Sequence, residues 1–199
     1  KLDTERAKKI SDEFEKMTPS PNDPLTQEAY GKMIEETLAQ YEVITSSGYT
    51  VEINNEEPYS SSGDMINDLR SNKNMKIFST ESGFGDEPIT QKQRNENPLL
   101  QKTKFKDKNG VPLLANDVFR FVHDFFGHAK LGNGFGAIGE ENAWNVHAQM
   151  YSPLARRAMT TETRGQNSWV NFSGVNDEVF KKRDEARRLR AEGRIEEAE

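Results

Sequence analysis

The chain has 199 residues, a net charge of −6 and a pI near 5.3, with 33% hydrophobic and 30% charged residues. The acidic balance argues against a general nucleic-acid-binding face, which needs a basic surface. The absence of cysteine excludes disulfides, thiolate metal sites and cysteine nucleophiles.

Hydrophobic content is low against the roughly 45–50% (Gly included) of an ordinary domain. A compact centre with solvated flanks is therefore expected. Residues 1–43 read as two helices. Leu2, Ala7, Ile10, Phe14 and Met17 recur at loosely helical spacing. "TPSPNDP" (18–24) then breaks the pattern with three prolines. Tyr30, Met33, Ile34, Leu38 and Tyr41 carry the second helix, with Thr26 as its expected N-cap.

"GYTVEI" (48–53) alternates and reads as a strand. "YSSSGDMINDLRSN" (59–72) reads as a cap and a short helix, and "MKIFST" (75–80) as a second strand that can pair with the first across that helix. Residues 81–112 read as largely irregular, with a hairpin turn at Asn109-Gly110.

Val118, Phe121, Val122 and Phe125 form an i, i+3, i+4, i+7 stripe, so 116–129 is a core helix that Asn116 or Asp117 can cap. "EENAWNVHAQMY" (140–151) is a second helix. Ser152-Pro153 ends it and starts a third, with Pro153 at the first helical position. Residues 160–174 are polar with the aromatic pair Trp169 and Phe172, and read as a helix-ending loop or the lining of a site. The charged end of the chain reads as a solvated helix that can meet a protein partner.

The expected fold is α+β and mostly helical. A helical core around 116–160 carries a small two- to three-stranded sheet and helical arms. The expected divisions are an N-terminal helical arm (1–45), a metal-binding core (46–175) and a charged C-terminal helix (176–199). No stretch approaches ~18 apolar residues, so no membrane span is expected. No basic-then-apolar leader opens the chain, and a cytoplasmic protein is expected. The start at Lys1 and the end within a helical pattern fit a processed chain or part of a longer one.

All three histidines, His123, His128 and His147, lie in "FVHDFFGHAKLGNGFGAIGEENAWNVHAQMY" (121–151). Phe119, Phe121, Phe125, Phe126 and Phe135 lie in or just before it. This clustering points to a metal. His123 and His128 are five apart, roughly 140° of rotation on an ideal α-helix, so they converge only past a helix end or at a bulge, which Gly127 permits. Asp124 and the spacing depart from the H-E-x-x-H of zinc proteases. His123-Asp124 is similar to the dyad of HD-type phosphohydrolases, but those need an upstream histidine and residues 1–122 have none.

Several ligand sets remain open. Glu140, Trp144 and His147 share a helix face, so Glu140 and His147 are alternate ligands. A three-histidine set suits Zn(II), with a bound water whose pKa falls to about 7. Two histidines with Glu140 or Glu162 suit Fe(II). "GNGFG" follows a helix and is no phosphate loop. Arg156, Arg157 and Arg164 can hold an anionic group.

The pattern H-x-x-x-G-H, followed by "TTETRG" (160–165), resembles the aromatic amino acid hydroxylases, whose core carries H-E-x-x-G-H and a later T-x-E-F-G. The resemblance implies a non-haem Fe(II) hydroxylase with His123, His128 and Glu162 as a 2-His-1-carboxylate set. It implies a small-molecule substrate that Arg164 or Asn167 orients, and places Asp124 behind the ligands, accepting a hydrogen bond from an imidazole or water. Asp124 stands where the family has Glu, and the family's catalytic domain is longer, which puts its pterin pocket in doubt. The stretch also looks like segments of phage-encoded proteins. A non-enzymatic interaction protein with a histidine-bearing core is the competing class.

Overall fold

The structure, a computed structural model, describes residues 2–84 and 88–191. It is a mostly helical α+β protein. The elements in chain order are α1 (Thr4–Lys16), α2 (Pro24–Ser46), β1 (Thr50–Asn54), α3 (Ser62–Asn72), β2 (Asn74–Phe78), α4 (Thr80–Gly83), α5 (Gln91–Glu96), β3 (Lys102–Lys106), β4 (Pro112–Leu114), α6 (Ala115–His123), α7 (Ala137–His147), α8 (Pro153–Thr160), α9 (Gln166–Phe172) and α10 (Asp177–Ala191). Residues 192–199 of the expected C-terminal helix lie outside the described residues.

The chain divides into two compact units, residues 18–164 and residues 1–17 with 165–199. In the second unit α1 packs on α9, where the Phe14 and Trp169 rings are 6.5 Å apart and Trp169 Nε1 donates to Glu15. The expected loop over 160–174 is thus helical. Thr161–Gly165 forms a π-turn and Gln166–Phe172 an α-helix.

In the 18–164 unit, α2 starts at Asp23 rather than at Thr26. The Asp23 carboxylate accepts from Thr26 N at 2.8 Å, and Pro24, which has no N–H to leave unpaired, fills the first turn. α2 is core rather than arm. It buries Ala29, Met33, Thr37, Gln40, Tyr41 and Ile44.

Strands β1 and β2 pair in parallel across α3, with Val51 opposite Met75 and Ile53 opposite Ile77. Ser61 caps α3. β3 and β4 form a separate antiparallel pair, so the strands make two small sheets. Their turn follows the sequence expectation. Gly110 takes φ +85°, and Asp107 accepts from Asn109 N and Val111 N, each at 2.8 Å. Ile53 N donates to the same carboxylate, which ties the hairpin to β1. Short helices α4 and α5 interrupt the stretch read as irregular. Thr90 and Gln93 form a capping box at the start of α5.

Helix α6 sits between two apolar clusters. Val118, Phe121 and Val122 join Tyr41, Ile44, Met65, Met75 and Leu113 in one. Phe119 joins Met33, Tyr151, Ala155 and Met159 in the other. Its start is held by Asp117, not Asn116. That carboxylate accepts from Leu114 N at 2.8 Å and from Thr80 N at 3.0 Å. α6 is thereby locked in depth and rotation, and its last residue, His123, is buried between the clusters.

Candidate metal centre

The α-helix ends at His123 and the chain continues as a π-turn over Asp124–Ala129. Lys130 N bonds to Phe125 O and Asn133 N to His128 O, both five residues back. In this wider winding, residues five apart share a face. The expected bulge is therefore present, and it brings the two rings to a centroid distance of 5.2 Å. Gly127 allows it. A Cβ there would meet Ala143 Cβ at 3.1 Å and His123 Cε1 at 3.3 Å. The absence of a side chain lets α7 lie against the turn.

Helix α7 then supplies Glu140 from its first turn and His147 from its last. His128 Nε2 stands 3.4 Å from Glu140 Oε2, and His123 Nε2 stands 3.9 Å from the same oxygen. One ligand atom from each of His123, His128 and Glu140 lies within 4.8 Å of the others, close enough to hold a metal ion. A tetrahedral ion with bonds of about 2.0–2.1 Å needs ligand atoms about 3.3 Å apart. The His128–Glu140 edge is already near that length, the His123–Glu140 edge is longer by about 0.6 Å, and the His123–His128 edge lies within 4.8 Å.

The ring protons are assigned by their neighbours. Gln40 Nε2 donates to Met150 O, so Gln40 Oε1 faces His147 Nε2 at 2.8 Å and accepts its proton. Burial first, and then the proximity of the two other imidazoles, hold His147 well below the usual histidine range. His147 is therefore neutral, and its Nδ1 is an acceptor for His123 Nδ1–H at 3.1 Å. This leaves His123 Nε2 as a lone-pair nitrogen, buried and without a hydrogen-bond partner. His128 follows the same logic. Its Nδ1–H donates to the Asn133 carbonyl at 3.2 Å, which directs Nε2 toward Glu140, where it carries a proton when His128 is charged and offers a lone pair once that proton leaves. Metal-ligating histidines show this arrangement, with the far nitrogen committed to a carbonyl or equivalent acceptor.

Burial alone would raise Glu140, yet the adjacent imidazoles of His123 and His128 bring it down to about 2. Burial works against charge on His128, but Glu140 and Asp124 outweigh it and raise its pKa. Without metal, a proton shared among these groups holds the charge that a cation would neutralise.

The aromatic surround matches its expectation in part. Phe119 stacks on His123 and His147, Phe126 packs on His147, and Phe135 meets His128 edge-on at 5.1 Å. Phe121 and Phe125 pack instead against Tyr41 and Tyr49.

The structure separates the other candidates from this cluster. The carboxylate beside the histidines is Glu140, not Glu162. Glu162 sits on the π-turn after α8 and accepts from the Tyr30 hydroxyl. His147 is not free to ligate, since both its nitrogens are in use. Asp124 is close enough to feel His128, His123 and Glu140, and burial raises its pKa. It receives no imidazole N–H, because those donors go to His147 and Asn133. Arg164 is paired with Glu141 and lies over the Trp144 ring at 4.1 Å. Asn167 belongs to the other unit, on α9.

Two residues that set the ligands were missed from sequence. Gln40 left a signal. It is a polar side chain on the stripe of Met33, Thr37, Tyr41 and Ile44, all of them buried. Asn133 acts through its backbone carbonyl and left none. Comparison with protein-family models, with curated proteins and with solved structures finds no match.

Proposed function

We propose that the protein is a metal-dependent enzyme that holds Fe(II) through His123, His128 and Glu140 and oxidises an organic substrate. The observation that carries this reading is the buried, unpartnered Nε2 of His123, aimed with His128 Nε2 at one carboxylate. Two neutral imidazoles and a carboxylate suit ferrous iron and leave adjacent coordination positions open. Iron bound there would supply oxygen activation. The chain's own residues do the rest. His147 and Asn133 fix the ligand tautomers, and Phe119, Phe126 and Phe135 limit the entry of water. Glu140, 16% exposed at its side chain, marks the side on which solvent reaches the cluster.

The same donor set serves zinc hydrolases. The aromatic surround, with three phenyl rings on the imidazoles, favours the oxidative reading. The test is elemental analysis after anaerobic loading with Fe(II) or Zn(II) of protein purified without an affinity metal. One equivalent of iron, lost in His123→Ala and Glu140→Ala but kept in Glu162→Ala, supports the proposal. Stoichiometric zinc with no retained iron moves the reading to hydrolysis. No metal under either loading removes it.

A further inference from the structure

A cleft of about 620 Å³ opens in the 18–164 unit, lined by the Pro19–Pro21 segment, the first turns of α2, the stretch around Pro98 and Glu162. None of His123, His128, Glu140 or His147 lines it. The cleft and the metal centre are argued independently.

The charge of the lining is one-sided. It contains the carboxylates of Glu96 and Glu162 and no lysine, arginine or histidine. Glu162 is part-buried, and the Tyr30 hydroxyl is the hydrogen-bond donor it meets. Among the described residues no cation pairs with it. A carboxylate withdrawn from water without a counter-ion is unfavourable. Two of the five amides that line it turn their donors to backbone carbonyls. Gln27 Nε2 donates to Pro21 O at 3.0 Å, and Gln101 Nε2 donates to Arg94 O and Asn97 O. Each therefore has its carbonyl oxygen left to offer a ligand. Gln93, Asn95 and Asn97 do the reverse, since their oxygens accept from Thr90, Gln91 and Leu99. Pro19, Pro21 and Pro98 add apolar surface.

We propose that this cleft binds a small organic cation bearing a primary ammonium. Its three N–H donors match the acceptors of Glu162, Gln27 and Gln101, and its carbon chain lies along the prolines. Phosphates and carboxylates find no cation here and meet two like charges. Binding supplies the counter-ion that the fold withholds from Glu162.

The test is a titration of the full chain with n-butylammonium, n-butanol and n-butyrate, followed through the backbone amide signals of Tyr30, Gly31 and Asn97. Butylammonium is expected to give saturable shifts, butanol to bind at least about tenfold more weakly, as loss of a charge-assisted contact implies, and butyrate to give none. Glu162→Gln keeps an acceptor for the Tyr30 hydroxyl and is expected to weaken butylammonium by about tenfold. Gln27→Met, at an exposed position, serves if Glu162→Gln does not fold, and is expected to weaken it too. Equal binding of butanol and butylammonium, no saturable shift with butylammonium, or undiminished binding in the folded variants would overturn the proposal.

Discussion

His123 Nδ1 and His147 Nδ1 face each other at 3.1 Å, and a single proton lies between them. Gln40 decides who owns it. By accepting from His147 Nε2, it makes His147 the acceptor and His123 the donor. The relay Gln40–His147–His123 crosses from α2 to α7 to α6 and ends on the nitrogen available to a metal. Replacing His147 by Leu removes the acceptor and frees the His123 ring to take either tautomer. Metal affinity should fall about 10–100-fold, the usual effect of losing such a supporting partner. Competition with a chromophoric chelator measures it. A folded His147→Leu protein with unchanged affinity would show that the relay does not govern the site. Gln40→Met should give a smaller loss in the same direction, because His147 stays in place.

Gly127→Ala tests the packing that closes the centre. The new methyl would sit 3.1 Å from Ala143 Cβ and 3.3 Å from the Ala143 carbonyl. One of these is backbone of α7, so relief requires the helix to move. Overpacking of this kind destabilises by about 1–3 kcal/mol. α7 also carries Glu140, so metal affinity should fall with stability. Thermal melting with and without chelator separates the two effects. A variant that melts lower yet keeps its full metal-dependent shift would show that α7 can retreat without opening the ligand set.

Asp117→Ala should be among the most damaging single changes. Its carboxylate satisfies Leu114 N and Thr80 N and also receives the Thr80 hydroxyl. All three donors are in buried residues. Leaving such donors unpaired costs about 1–3 kcal/mol for each group, and the start of α6 loses its anchor to α4. Urea denaturation should show a loss at the upper end of a single-substitution range, with Asp117→Asn intermediate.

Much of this was legible in the chain because local rules act alone at those positions. Asn109-Gly110 demanded a turn, Pro153 demanded a helix start, and the alternation in 48–53 and 75–80 gave two strands separated by a capped helix. The gathering of the histidines was legible as well. Their geometry was only half legible. A spacing of five excludes a shared face on an α-helix and is compatible with a π-turn, but that winding is stabilised by the approach of α7 to Gly127, a tertiary contact. The choice between Glu140 and Glu162 failed for the same reason. Both are glutamates near helical aromatic residues, and only the docking of α7 against the π-turn decides which carboxylate meets the imidazoles. α4 and α5 were missed because helices of four to six residues carry too few positions for a periodicity. The Thr90–Gln93 capping box was the available signal for α5.

The His128–Glu140 pair predicts how the metal-free protein responds to pH. The folded pKa of His128 is raised above 6.5 despite burial, so its contribution to stability is complete below 6.5 and is lost as pH rises through the folded value. Glu140 is depressed from 4.5 to about 2, so its contribution is present above 4.5 and is lost as pH falls toward 2. Both contributions coexist between 4.5 and 6.5. Metal-free protein should therefore be most stabilised by this pair in that window, and Glu140→Gln should flatten the profile there. Metal binding runs the other way at neutral pH. The ion must displace the proton from His128, so affinity should climb as pH rises through the raised pKa. Glu140→Gln removes the main group that raises it. The climb should then begin at lower pH, while the affinity reached at high pH falls for want of the carboxylate ligand. Denaturation and chelator competition across the same pH series read the two effects on one set of samples. A climb that stays at the same pH in Glu140→Gln would mean that Asp124 or a group outside the ligand set, rather than Glu140, controls the proton on His128.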